Sequence, residues 1–272
     1  MKCSSFFAAV VLVLLMLSLP QSAGAQYFKF DRATYQDNEE VELAVDGILK
    51  FFGSVVGEGL YHTADMHSVA GLDVGLRASV ATVPDDFGNL PVFQDENRVG
   101  LAFLHASVGL PAKFELLGRF FYFPMGSDID LTLQPQRASD SRGGVTLIGG
   151  GLKYGLVQLP GLPKVMVLGA YHALFVPEEF DFGTVSTFSL KAVVSHSFVI
   201  ATVYAGAGID FTRLALSDDI QFPGLEGESF SGSEPQFTLG ATVTPFPLVR
   251  VNGALSFGEF NSLNVGVGVS LR

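Results

Sequence analysis

Hydrophobic and polar residues alternate along most of this chain with a period of two. In the final segment Leu263, Val265, Val267, Val269 and Leu271 are set against Ser262, Asn264, Gly266, Gly268 and Ser270. Before it, Val249, Val251, Leu255 and Phe257 alternate with Arg250, Asn252, Ala254 and Ser256. Earlier still, Phe237, Leu239, Ala241 and Val243 alternate with Gln236, Thr238, Gly240 and Thr242. Successive side chains of a strand point to opposite faces, so each segment carries one apolar and one polar face. The polar face is built from Gly, Ser, Asn and Thr rather than Lys and Glu. That is the pattern of a strand with lipid on one side and a small, polar lumen on the other.

The same alternation predicts strands over 69–82, 184–194 and 199–211. It recurs with more noise over 100–110, 115–123 and 144–157, while 164–175 is apolar on both faces apart from His172. Most of these runs match the roughly 9–11 residues that a tilted strand needs to cross a bilayer. The connections alternate between short and long. The tight ones are 110–112, 159–163, 195–197 and 244–247. The long ones, 83–99, 124–143, 176–183 and 213–234, hold most of the acidic residues. Short turns on the periplasmic side and long loops outside describe an outer-membrane barrel. The expected fold is all-β: a transmembrane antiparallel up-and-down barrel of about ten strands over residues 69–272. Phe123, Phe175, Phe211, Phe257 and Phe260 would stand at its outer boundary with lipid, and Phe246 and Tyr154 toward the inner one.

One segment breaks the pattern. Val41, Val45, Ile48, Leu49, Phe52, Val55 and Val56 recur at three- and four-residue steps, which predicts an amphipathic helix over about 39–57. Glu39, Glu40 and Glu42 sit in its first turn, where negative charge suits the helix dipole. The residues Val45, Ile48, Leu49, Phe52 and Val56 would make it either a plug in the lumen or a cap on the periplasmic mouth. A ten-stranded barrel has little spare room. Insertion is therefore expected to require a barrel of twelve strands, with 58–68 and another segment recruited as strands.

The N-terminus adds a location. Lys2, an apolar run from Phe6 to Leu19 and the small-residue stretch Ala23-Gly24-Ala25 have the form of a cleaved secretory signal peptide over 1–25, which puts the mature start at Gln26. The one cysteine, Cys3, lies in that leader, so disulfides and Cys-based metal sites are not expected in the mature chain. The formal charge of −11 becomes about −12 once Lys2 is lost. Such an acidic balance argues against nucleic acid as a partner. Charged residues make up only 16% of the chain and mean hydropathy is +0.39, a combination that suits a surface facing lipid.

The inward-facing polar set is Asp73, Arg77, His105, Lys153, Lys191, Tyr204, Asp210, Arg250, Asn252 and Asn264, with Glu115 and Arg119 beside it. Both signs of charge occur. The set either fills a narrow lumen or lines a passive route or binding pocket for a small solute, a hydrophobic one included. His62, His67, His105, His172 and His196 lack the spacing of a metal site or a nucleophile elbow. His105 with Ser107 would be the pair to examine for a hydrolase. The expectation is a non-enzyme with no cofactor.

The run Val45-Asp46-Gly47-Ile48-Leu49-Lys50, then Gly57-Glu58-Gly59-Leu60-Tyr61-His62-Thr63-Ala64, His67 and Gly71-Leu72-Asp73-Val74 resembles a family of uncharacterised outer-membrane proteins of Bacteroidetes-like bacteria. The resemblance implies a helix, a small-residue link and then a barrel, located in the outer membrane and inserted by the barrel assembly machinery. The chain departs from the aromatic C-terminal residue of proteobacterial barrels, ending Leu271-Arg272.

Overall fold

In the computed structural model, residues 38–88, 90, 93, 97–124, 144–175, 183–216 and 227–271 are described. The leader and most of the acidic loop residues, Asp128 and Asp130 among them, lie outside them. Ten antiparallel strands close into a barrel, each paired with its sequence neighbours, and β1 is joined to β10. The strands are β1 (Leu72–Thr82), β2 (Arg98–Leu110), β3 (Phe114–Pro124), β4 (Gly144–Val157) and β5 (Lys164–Phe175), then β6 (Thr184–Ser197), β7 (Ala201–Ala215), β8 (Ser229–Val243), β9 (Val249–Phe257) and β10 (Ser262–Leu271). Closure leaves no unpaired strand edge, the condition that lets a sheet stand in lipid.

The outer wall is apolar. Leu76, Leu104, Leu116, Phe120, Ile148, Tyr171, Phe188, Leu239, Leu255 and Val269 all project outward and are exposed. Their alternate neighbours are buried and polar, so the barrel is a transmembrane one with hydrocarbon outside. No described helix is long and apolar enough to cross a membrane. Phe175, Phe211 and Phe257 are exposed on the outer wall near the long-loop end, but Phe260 is not. It turns inward and is completely buried, packing on Phe51, Phe87 and Phe93. The turn expected at 195–197 is also displaced: β6 continues through Ser197, and the chain reverses over 198–200.

Helix α1 (Asn38–Val56) enters the barrel from the end that carries the long loops. Glu42 and Leu43 are exposed at its start, whereas every residue from Phe51 to Val56 is buried. The helix packs chiefly on β8 and β7, and also on β1, β6 and β2. Around it the wall presents Phe103, Leu147, Leu174, Val185 and Leu214, and the β1–β2 loop adds Phe87, Leu90 and Phe93. A short helix, α2 (Asp85–Gly88), carries Phe87 onto Gly47, where a β-carbon would collide with the ring. Each large apolar side chain buried here contributes on the order of 1.5–3 kcal/mol.

The helix is thus inside a ten-stranded barrel, and the link after it is not a strand. Two things make room. Only the outer half of the lumen holds helix; the inner half holds the thin stretch 57–71. Glycine also keeps both sides small: a β-carbon at Gly206 on the wall would run into Tyr61, and one at Gly57 in the stretch itself would run into the Asp210 carboxylate.

Candidate functional site: the plugged lumen

The ten inward-facing residues Asp73, Arg77, His105, Lys153, Lys191, Tyr204, Asp210, Arg250, Asn252 and Asn264 are all buried in the structure. So are Val45, Ile48, Leu49, Phe52 and Val56 of α1. What joins the two sets is the link, and the sequence pattern does not mark one residue in it, Glu58. It lies one residue past the helix-ending Gly57, and nothing in the alternation marks it.

Glu58 is 1% exposed in the middle of the barrel. It accepts from the Ser256 hydroxyl at 2.6 Å, from Thr238 at 3.1 Å and from Lys191 Nζ at 3.3 Å. Lys191 in turn donates to Asp210 at 2.6 Å and to Gln236 at 3.3 Å. One side chain of the plug therefore engages β6, β8 and β9. A buried carboxylate is tolerated only when its acceptor sites are filled in this way.

Arg119, on β3, reaches the plug from the opposite wall. It donates to the main-chain carbonyls of Val56 and Glu58, both at 2.8 Å, and its guanidinium lies 4.6 Å from the centre of the Phe103 ring. The last carbonyls of a helix lack intrahelical partners, and a cation there also suits the dipole. Arg119 meets both needs.

Deeper in the lumen the Tyr61 ring stands edge-on to Tyr204, at 5.8 Å between centroids. His62 sits between Arg77, 2.8 Å from its Nδ1, and Arg250, close to its Nε2. Its carbonyl accepts from Thr242 at 2.6 Å. Arg77 also bonds Asn252, and both arginines lie 3.5 Å from Asp73. A guanidinium only donates and a neutral imidazole has a single acceptor nitrogen, so His62 can accept from only one of the two arginines.

At the short-turn end, His67 contacts Glu115 at 2.7 Å and Ser270 at 2.9 Å, and Lys153 bonds the other Glu115 oxygen at 2.7 Å. Ala64 donates to Ser195 at 2.9 Å, and Gln158 bonds both Met66 and Ala64. The Ala70 amide then pairs with the Gly109 carbonyl, and β1 begins. Arg250, already against His62, also lies 3.3 Å from His67 Nε2, so the two histidines belong to one continuous polar network. No group of three or more metal-ligating side chains occurs among the described residues. His105 and Ser107 are both buried, and neither has a hydrogen-bonding partner, so they are not bonded to each other. His172 is likewise buried, and its ring nitrogens find no partner within the protein.

At the mouth, Lys50 lies 2.9 Å from Asp46 on its own helix and 2.9 Å from Glu259 in the β9–β10 turn. Partial burial works to lower its pKa, but the two carboxylates outweigh it and hold the pKa above the ordinary lysine value.

Residues 88–271 match a family of unknown function, DUF6588. The chain belongs to it. The match covers the barrel wall of this DUF6588 protein from β2 onward, and leaves out α1, the link and β1. No curated protein matches the chain. Solved structures similar to this DUF6588 protein include the translocator domain of the autotransporter NalP from Neisseria meningitidis, at 12% identity and TM-score 0.38, covering 89% of this chain and all (100%) of that one. The N-terminal β-barrel domain of Pseudomonas aeruginosa OprF is 10% identical with TM-score 0.34, over 75% of this chain and 98% of that one. The CymD monoaromatic hydrocarbon channel is 13% identical with TM-score 0.27, over 75% and 88%. Likenesses this remote carry no argument about function.

Proposed function

We propose that this protein is an outer-membrane barrel closed by its own N-terminal segment, and that it works as a non-conducting barrel rather than an open passive pore. The observation that carries the reading is the Glu58 knot. A free lumen would leave Lys191, Thr238 and Ser256 facing water, whereas here a plug carboxylate fills the space between them. The short turns face the periplasm and the long acidic loops the exterior, with the leader removed before Gln26. Lipid contacts the wall, and the barrel assembly machinery inserts it. This reading assigns the protein no enzymatic activity. It needs no cofactor.

A second reading is binding of a small solute. His105 and His172 favour it, being buried polar side chains that the protein itself leaves without partners. They stand on β2 and β5, away from β7 and β8, on which α1 chiefly packs.

Planar-bilayer recording tests the main reading. The full mature chain should give no steady conductance, and a variant lacking residues 38–66 should conduct. Steady channels from the intact chain would refute closure. Silence in both, with stabilisation of the intact chain by a small solute, would move the reading to binding.

A further inference from the structure

The plug has a direction. Its contacts run in chain order from the long-loop mouth to the short-turn end: Gly47 beneath Phe87, Lys50 beside Glu259, Ser54 bonded to the Phe260 carbonyl, then Glu58, Tyr61 and His67 successively deeper, and Ala70 paired with Gly109. Both ends of the barrel wall, Leu72 and Leu271, meet at the short-turn end. The helix therefore points its N-terminal end out of the opposite mouth, where Glu42 and Leu43 are exposed.

From this geometry we infer a further function: the barrel displays on the cell surface whatever chain precedes Asn38. The inference rests on the outer-membrane orientation proposed above. Two return routes to the periplasm are closed by elementary energetics. A second pass through the lumen would run beside a helix that is buried on every side from Phe51 to Val56, placing unpaired amides among Phe51, Phe93 and Phe260. Each such amide would lose its bond to water and gain no partner in return. A pass along the outer wall would put an isolated extended strand into hydrocarbon, where its backbone groups have no partners at all. The preceding chain must stay on the side where the helix begins.

The test uses single-cysteine variants in a Cys3→Ser background, treated on intact cells with a membrane-impermeant maleimide. Glu42→Cys reports the helix start, Arg98→Cys the long-loop end of the wall and Leu162→Cys the short-turn end. An epitope peptide inserted directly before Asn38 is probed with antibody in parallel. Expected on intact cells are labelling of Glu42→Cys and Arg98→Cys, antibody binding to the epitope, and labelling of Leu162→Cys only after permeabilisation. If Arg98→Cys labels while Glu42→Cys stays silent, display is overturned and the orientation stands. If Leu162→Cys labels and Arg98→Cys does not, the orientation itself falls and display falls with it. Should the epitope impair assembly, Glu42→Cys, a single change at an exposed position, decides alone.

Discussion

The Arg119 guanidinium on β3 donates to the carbonyl of Val56, the last residue of α1, at 2.8 Å. A residue of the wall thus ends a helix that belongs to the plug, and the two cannot separate without leaving that carbonyl bare.

Replacing Arg119 by Ala should consequently loosen the plug rather than the barrel. Charge-assisted hydrogen bonds to backbone are worth about 1.5–3 kcal/mol each, and a buried carbonyl left bare adds to the loss. Arg119→Lys should recover only part, because an ammonium does not reproduce the planar fork that spans the Val56 and Glu58 carbonyls. Thermal melts in detergent and bilayer recordings would read the two effects separately. A melt and a silent baseline both unchanged in Arg119→Ala would contradict the assignment.

Lys191 and Glu58 should respond very differently to neutralisation. Glu58→Gln leaves Lys191 paired with Asp210 and keeps acceptors for Ser256 and Thr238, so the expected loss is about 1 kcal/mol. Lys191→Met leaves Glu58 and Asp210 facing each other without their shared cation. Breaking a buried pair from one side costs about 3–5 kcal/mol. Denaturant midpoints at pH 7 should place Lys191→Met well below Glu58→Gln; equal midpoints would show that the knot is not an ion cluster.

Gly206 is where the wall makes way for the plug. A β-carbon there would meet the Tyr61 hydroxyl first and then the ring. Gly206→Ala should cost about 1–3 kcal/mol as overpacking. Tyr61→Phe in the same chain should restore part of it, since it removes the nearest atom. A double variant no more stable than Gly206→Ala, measured by melting in detergent, would mean that the wall and not the ring absorbs the strain.

Much of this architecture is legible in the alternation. Strands β9 and β10 are read from it to their ends, because one face must meet hydrocarbon and the other must not; β7 runs on to Ala215, past the 211 that the alternation marks. The helix is legible too, from Val45, Ile48, Leu49, Phe52 and Val56 at helical spacing. Its position is not, because an apolar stripe does not say what covers it. Phe260 illustrates why. In sequence it is another aromatic beside an outer turn, and only the helix across the lumen gives it a reason to face inward. Glu58 was hidden for a similar reason: its partners Lys191, Thr238 and Ser256 come from three distant strands.

Lys50 gives the mouth a pH dependence of defined sign. Its pKa is raised in the folded protein, so its contribution is fully present below the unfolded value of 10.5 and is lost as pH rises through the higher folded value. The side chain is 23% exposed, and its partners Asp46 and Glu259 are more so, so screening limits the bridge to about 1 kcal/mol or less. The exposed start of α1 should therefore loosen from the β9–β10 turn only in strong alkali. Hydrogen exchange or maleimide reactivity of Glu42→Cys should rise above pH 10.5, after correction for the intrinsic rate. In Lys50→Met that step should vanish, leaving the mouth equally loose at every pH. A step that persists without Lys50 would assign the titration to another group.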